Sequence, residues 1–203
     1  MTTTIFFVRH VPHILQNETL VGRTPDVPLP PESEALLPGL GLRLAKEPLR
    51  AVYCSPLTRT RLTAEAVAAP QGLTPIVDDG LLEIDFGSWT GKRFSELHAD
   101  PAWVAFCHSK ALTQPPGGEP MTAVQARVTA SVERIRRQWT DAHVAIVSHG
   151  DPIKAALCHY LGLALDFVTR FEIAPGSVSA AAIGDWGAKI LLLNEEPAGP
   201  TGA

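Results

Sequence analysis

Three short runs of apolar residues punctuate the chain, and each stops abruptly at polar groups. Ile5-Phe6-Phe7-Val8 gives way to Arg9-His10, Ala51-Val52-Tyr53-Cys54 to Ser55, and His143-Val144-Ala145-Ile146-Val147 to Ser148-His149-Gly150. Runs that are apolar without alternation, and rich in β-branched and aromatic residues, predict central strands covered on both faces. Helical patterns lie between and after them. Residues 58–69 are rich in Ala, Leu, Glu and Arg and are closed by Pro70. Within 122–139, Val124, Val128, Val132, Ile135 and Trp139 recur every three or four residues, an apolar stripe along one helix face. Residues 151–161 follow the third run directly and predict a helix with Asp151 as N-cap and Pro152 at its first position. Residues 178–183 and 189–193, separated by Gly184 and Gly187, predict a closing hairpin-like pair.

Two stretches are less regular. Leu36, Leu40 and Leu44 mark a helical stripe in 24–48, but Pro38-Gly39 sits inside it, so that helix either kinks or starts late. Residues 99–120 end in Gln114-Pro115-Pro116-Gly117-Gly118-Glu119-Pro120 and read as an excursion from the sheet, anchored by Trp103 and Phe106. No internal repeat is present. Strands alternating with helices predict an α/β fold with a mostly parallel sheet, and the 203-residue length suits one domain, at most with a lid.

Composition changes the picture mainly by exclusion. Hydrophobic residues make up 45% and charged residues 19%, enough apolar material for a substantial core. Seventeen Lys and Arg against 21 Asp and Glu give a net charge of −4, which argues against nucleic acid or an anionic membrane as the main partner. The 16 glycines and 18 prolines are spread along the chain, so they signal turns and not a linker. Cys54, Cys107 and Cys158 are widely spaced and odd in number, which predicts neither a disulfide scaffold nor a zinc site. The apolar run at 5–8 is too short for a signal sequence or a membrane span, so the expected location is cytoplasmic. His98, His108, His143 and His159 have no metal-ligand spacing, and no metal or cofactor is expected.

The ends of the three central strands carry the chemistry. Ligands of open α/β sheets bind beyond the carboxyl ends of the strands. There Arg9, His10 and His149 project at one edge, and Arg59 and Arg61 follow within the first turn after Ser55. Cations gathered beside helix N-termini form an anion site, and in an acidic chain such a cluster implies a negative visitor, of which a phosphoryl group is the obvious one.

Five blocks occur in register: Arg9-His10 after a strand; Ser55-Pro56-Leu57-x-Arg59-x-x-x-Thr63-Ala64-Glu65; Leu82-Glu83-x-Asp85-Phe86-Gly87-x-Trp89-x-Gly91; Pro116-Gly117-Gly118-Glu119; and Ser148-His149-Gly150. Together they resemble the histidine phosphatase superfamily, in its phosphoglycerate mutase-like branch, over roughly residues 5–194. The resemblance implies a three-layer α/β/α sandwich on a mixed, mainly parallel sheet, with one such domain over 1–203 and a lid-like excursion at about 88–120. It implies His10 as the nucleophile that carries the phosphoryl group, with Arg9, Arg59 and His149 around the equatorial oxygens. Glu83 is implied as the acid to the leaving group and then the base for water. Asn17, Gly22, Arg23 and Gly150 are the expected substrate-binding positions.

The chain departs from the family pattern after His10, where Val11-Pro12-His13 stands in place of a glycine, a variable residue and a small hydroxyl residue. Val11 adds a side chain where room is expected. His13 either adds a fourth cationic group or fills space, and the family's asparagine falls on Gln16 or Asn17. The expected activity is hydrolysis of a small-molecule phosphate ester without a metal. The alternatives are a bisphosphate-dependent phosphoglycerate mutase and a catalytically weak phosphate-binding member. Only Lys92, Arg93 and Lys110 supply lysine or arginine cations between Glu83 and Glu119, which favours hydrolysis over the mutase. The expected partner is the phosphate ester itself, and a homodimer is an allowed assembly.

Overall fold

The computed structural model describes residues 1–196; residues 197–203, which the sequence assigns to the same domain, lie outside the described residues. Six strands form one sheet: β1 (Thr2–Arg9), β2 (Leu49–Cys54), β3 (Ile76–Val77), β4 (His143–Ser148), β5 (Val178–Gly184) and β6 (Gly187–Glu195), in the order β3-β2-β4-β1-β5-β6. The pairs β3–β2, β2–β4 and β4–β1 are parallel, whereas β5 runs antiparallel to β1 and β6 antiparallel to β5. The three expected strands are the three central parallel ones. Two-residue β3, an exposed edge strand beside the end of β2, has too little apolar pattern to be seen in the sequence.

The sheet is sandwiched because its central strands are apolar on both faces. Ile5, Phe7, Tyr53, Val144 and Ile146 face one cluster, completed by α6 (Met121–Gln138) and α7 (Gly150–Leu161). Phe6, Val8, Val52, Ala145 and Val147 face the other, under α2 (Leu37–Leu44) and α3 (Thr58–Ala68). The expected stripe on α6 is buried at Val124, Val128, Val132 and Ile135. Pro38 falls in the first turn of α2, where its missing N–H is not needed, so the helix starts late and does not kink. A separate four-residue helix, α1 (Pro31–Glu34), precedes it. One local expectation is corrected. His149, not Asp151, occupies the N-cap of α7, and the Asp151 carboxylate takes a 2.6 Å bond from Lys110 Nζ instead.

The excursion carries α4 (Phe94–Leu97) and α5 (Pro101–His108). Trp89, Leu97, Trp103 and Phe106 sink into the first cluster, with Trp89 and Trp103 edge to face at 5.3 Å between centroids. Its return is fastened to the loop after Glu83 by backbone bonds, Ser88 N–H to Pro116 O at 3.0 Å and Glu119 N–H to Asp85 O at 2.8 Å. The two backbones touch through glycines: a Cβ on Gly87 would collide with Pro116 O, and one on Gly118 with Asp85 O. Gly118→Ala is therefore expected to destabilise the protein by about 1–3 kcal/mol, the range for forced overpacking, read as a lowered urea midpoint. An unchanged midpoint would show that the two loops can part at no cost.

Candidate active site

Register brings the strand ends to one level. Val8 lies beside Val147 and Arg9 beside Ser148, while Cys54 lies beside Val147 on the other side. The next residues, His10, Ser55 and His149, therefore share one edge, and the chains are still bonded there, His10 N–H to Ser148 O and Ser55 N–H to Val147 O, each at 3.1 Å. A cavity of about 230 Å³ opens above this edge.

His10 is buried and its tautomer follows from its partner. Nδ1 lies 2.7 Å from Val11 O, a carbonyl that can only accept, so Nδ1 carries the proton and Nε2 keeps its lone pair. Arg59 Nε–H points at that lone pair from 3.3 Å. Burial holds the His10 pKa well below its ordinary value, and the Arg59 and Arg9 charges add to this, so the ring is a neutral base at neutral pH. Burial likewise lowers His149, helped by Arg59. His149 packs edge-on to His10 at 5.2 Å, with Nε2 bonded to Ser55 Oγ at 2.8 Å.

The arginines are fixed by carbonyl oxygens, not by carboxylates. Arg59, 1% exposed, gives Nη1–H to Thr24 O at 3.1 Å and Nη2–H to Gly22 O at 2.6 Å. Arg9 gives Nη1–H to Ile173 O at 2.6 Å and lies against Gly150, where an added Cβ would sit 3.3 Å from Cζ. Among the described residues neither guanidinium group has a direct ion pair, and both line the cavity.

Glu83 lines the same cavity. Burial, followed by the Asp151 carboxylate, pushes its pKa up to about 7, against the opposing Ile84 N–H bond and the two arginines. Its backbone is clamped: Glu83 O accepts from Arg23 Nε at 2.8 Å and from Arg127 Nη2 at 3.1 Å. Glu119 joins the two guanidinium groups, at 2.8 Å from Arg23 Nη2 and 2.8 Å from Arg127 Nε.

Of the sequence-derived candidates, Arg9, His10, Asn17, Gly22, Arg59, Glu83 and Gly150 line the cavity. His149 stands behind His10, and Arg23 is turned to Glu119 and the Glu83 carbonyl, away from the lining. Gln16 lines the cavity as well as Asn17. Val11 points into the second apolar cluster and leaves the cavity unobstructed. His13 is neutral: burial, Arg59 and Arg9 push it down to about 4. Sequence reasoning missed Arg127, which sits on the polar side of the α6 stripe and has no local motif. It also missed the positioning part of Glu119, although the Pro-Pro-Gly-Gly-Glu block marks the place. Leu20, Phe86, Phe94 and Trp103 supply an apolar part of the lining. Among the described residues no group of three or more His, Cys, Asp or Glu could hold a metal ion.

A neutral imidazole lone pair, two guanidinium groups and a carboxyl whose pKa is raised to about 7, around one small cavity on an α/β sandwich, suit the hydrolysis of phosphate monoesters. Comparison with known proteins makes this specific: residues 5–196 match the model of the histidine phosphatase superfamily (branch 1), and the chain belongs to that family. It is 32% identical to phosphoserine phosphatase 1 of Hydrogenobacter thermophilus over 160 residues, 76% of this chain and 74% of that protein. It is 25% identical over 150 residues to the adenosylcobalamin/alpha-ribazole phosphatase of Escherichia coli, covering 73% of this chain and 74% of that one. Among solved structures, Bacillus stearothermophilus YhfR superposes with a TM-score of 0.88 at 27% identity, over 94% of this chain and 96% of that one.

Glu119→Gln removes the charge that joins Arg23 to Arg127 and loosens the Glu83 backbone. The expected result is a loss of about 1–3 kcal/mol in stability and a fall in kcat of roughly tenfold to a hundredfold, larger than any change in KM. Urea melts and steady-state kinetics on one phosphate ester measure both. An equal KM and kcat effect would mean that Glu119 meets substrate directly.

Proposed function

We propose that the protein hydrolyses a small-molecule phosphate ester through a phosphohistidine on His10. The observation that carries this is the tautomer: the Nδ1–H bond to Val11 O leaves Nε2 unprotonated, facing Arg59 Nε at 3.3 Å in the cavity. In the first step Nε2 bonds to phosphorus as the ester P–O bond breaks, and Glu83 gives its proton to the leaving oxygen. In the second, Glu83 as carboxylate takes a proton from water, whose oxygen bonds to phosphorus as the P–N bond breaks and Nε2 regains its lone pair. Arg9 and Arg59 stabilise the phosphoryl oxygens from the lining, with His149 packed behind His10, while Asn17, Gly22 and Gly150 shape the binding surface. Arg23 acts through the Glu83 backbone.

Hydrolysis is favoured over mutase chemistry because Lys92 and Arg93 are exposed and Lys110 is spent on Asp151, so none of them is placed to read a substrate carboxylate. Relatives named as phosphatases for phosphoserine and for adenosylcobalamin/alpha-ribazole support a small-molecule ester. The segment at 88–120 serves as the lid over the leaving group, with Phe94 and Trp103 already in the cavity wall. A cytoplasmic setting is supported by three free cysteines. The acidic net charge supports the absence of nucleic acid and membrane partners, and no helix among the described residues is long and apolar enough to cross a membrane. A homodimer is compatible, since one chain supplies the whole described lining.

Two experiments test the mechanism. His10→Ala should abolish phosphate release from p-nitrophenyl phosphate and acid-labile ³²P labelling of the protein; residual labelling would place the nucleophile elsewhere. The Glu83 proton is needed for the leaving group, and its fraction falls as pH rises through about 7, so kcat should decline on the alkaline side. Glu83→Gln should lower kcat for an alkyl phosphate by roughly 10²–10⁴ and flatten that limb. p-Nitrophenyl phosphate, whose leaving group departs without a proton, should lose much less. An alkaline limb that persists in Glu83→Gln would take the acid role from Glu83.

A further inference from the structure

His13 has no part in the scheme above, yet its ring is 7% exposed, lines the cavity and stacks on His10 with centroids 5.9 Å apart and planes 28° from parallel. Its place is set by the backbone: His13 O accepts from Gln16 N–H at 2.9 Å, and the next residue is tied by Ile14 N–H to Pro28 O at 3.1 Å. The imidazole itself is bonded to nothing among the described residues, and Nδ1 is a fully buried nitrogen without a partner. That is unusual in an interior where buried polar groups are nearly always paired. Beside it His10 Nδ1 holds Val11 O and all three Arg59 nitrogens have acceptors, so the buried nitrogens left without partners at this edge are His13 Nδ1, Arg9 Nε and His149 Nδ1. A ring present only to fill space has no use for nitrogens, and an apolar residue there would avoid the desolvation of Nδ1.

We propose that His13 is a ligand of the phosphoryl group, donating its imidazole N–H to an oxygen of the anion held at His10. This rests on the cavity being the phosphoryl pocket. The neutral ring suits the place, because it adds a donor to a cavity where Arg9 and Arg59 already supply positive charge, without adding to their mutual repulsion. It also settles the two options open for this position, since the ring is neither a fourth cation nor filler. Stacking on His10 puts the donor beside the nucleophile, so the contact persists when the phosphoryl group moves from substrate to His10 Nε2.

The test uses orthovanadate binding by calorimetry, together with melting temperatures, on the wild type, His13→Phe and His13→Gln. Phe keeps a flat ring against His10 and removes the nitrogens, whereas Gln keeps a donor and removes the ring. The expected result is that His13→Phe melts no lower than wild type when free, because an unpaired buried polar group has gone, yet binds vanadate about tenfold to a hundredfold more weakly. His13→Gln should bind within about fivefold of wild type. Should His13→Phe fail to fold, His13→Ala with free imidazole added back makes the same comparison, and restored affinity supports the contact. Wild-type affinity in His13→Phe, or equally weak binding by Phe and Gln, overturns the inference alone. A wild-type protein that binds neither vanadate nor orthophosphate overturns the phosphoryl pocket and His13 with it.

Discussion

The structure depends on burying guanidinium charge without neutralising it. Removing a cation from water is expensive unless hydrogen bonds replace its hydration shell. Here backbone carbonyls do so: Gly22 and Thr24 for Arg59, Ile173 for Arg9. Carboxylates in those places would have satisfied the arginines equally well and cancelled the field that attracts a phosphoryl group. Carbonyl dipoles satisfy the hydrogens and leave the charge. The loop at 22–24, the stretch near 173 and the strand ends must therefore converge, which explains why so much irregular chain is well packed around one edge of the sheet.

That retained charge also sets the protonation states nearby. The same two cations reinforce burial in keeping His10 and His149 unprotonated. They work against the proton on Glu83, and desolvation together with Asp151 outweighs them. A base whose pKa is lowered and a carboxyl whose pKa is raised thus coexist across a small cavity, through opposite responses to one low-dielectric environment. The Lys110–Asp151 pair links this balance to the excursion, because the lysine that partly neutralises Asp151 comes from that segment.

The fold was legible wherever both faces of an element are buried or one stripe is. The continuous runs at 5–8 and 143–147 and the stripe on α6 could serve no other structure. What escaped was decided by contacts distant in sequence. The exposed strand β3 exists because β2 offers it an edge, and Asp151 lies inside the first turn of a helix that starts at Gly150, where its carboxylate meets Lys110. Site residues adjacent to strand ends were readable for the same reason as the strands. Arg127 was not, since a helix-surface arginine has the same local pattern whether it faces water or, as here, three carbonyls and a carboxylate. Val11 shows the converse: a side chain that looked obstructive in the sequence is harmless because its Cβ points to the core.

β1 precedes the other five strands in sequence but is fourth across the sheet, and its neighbours β4 and β5 come much later in sequence. Arg9 and His10 obtain backbone partners from Ser148, Gly176 and Ser177. During synthesis the strand that leads into His10 therefore waits for some 130 further residues before either flank can close. A ribosome stalled short of β4 leaves an apolar, unpaired edge and no anion pocket, so the nascent chain carries an aggregation hazard well before it can bind phosphate.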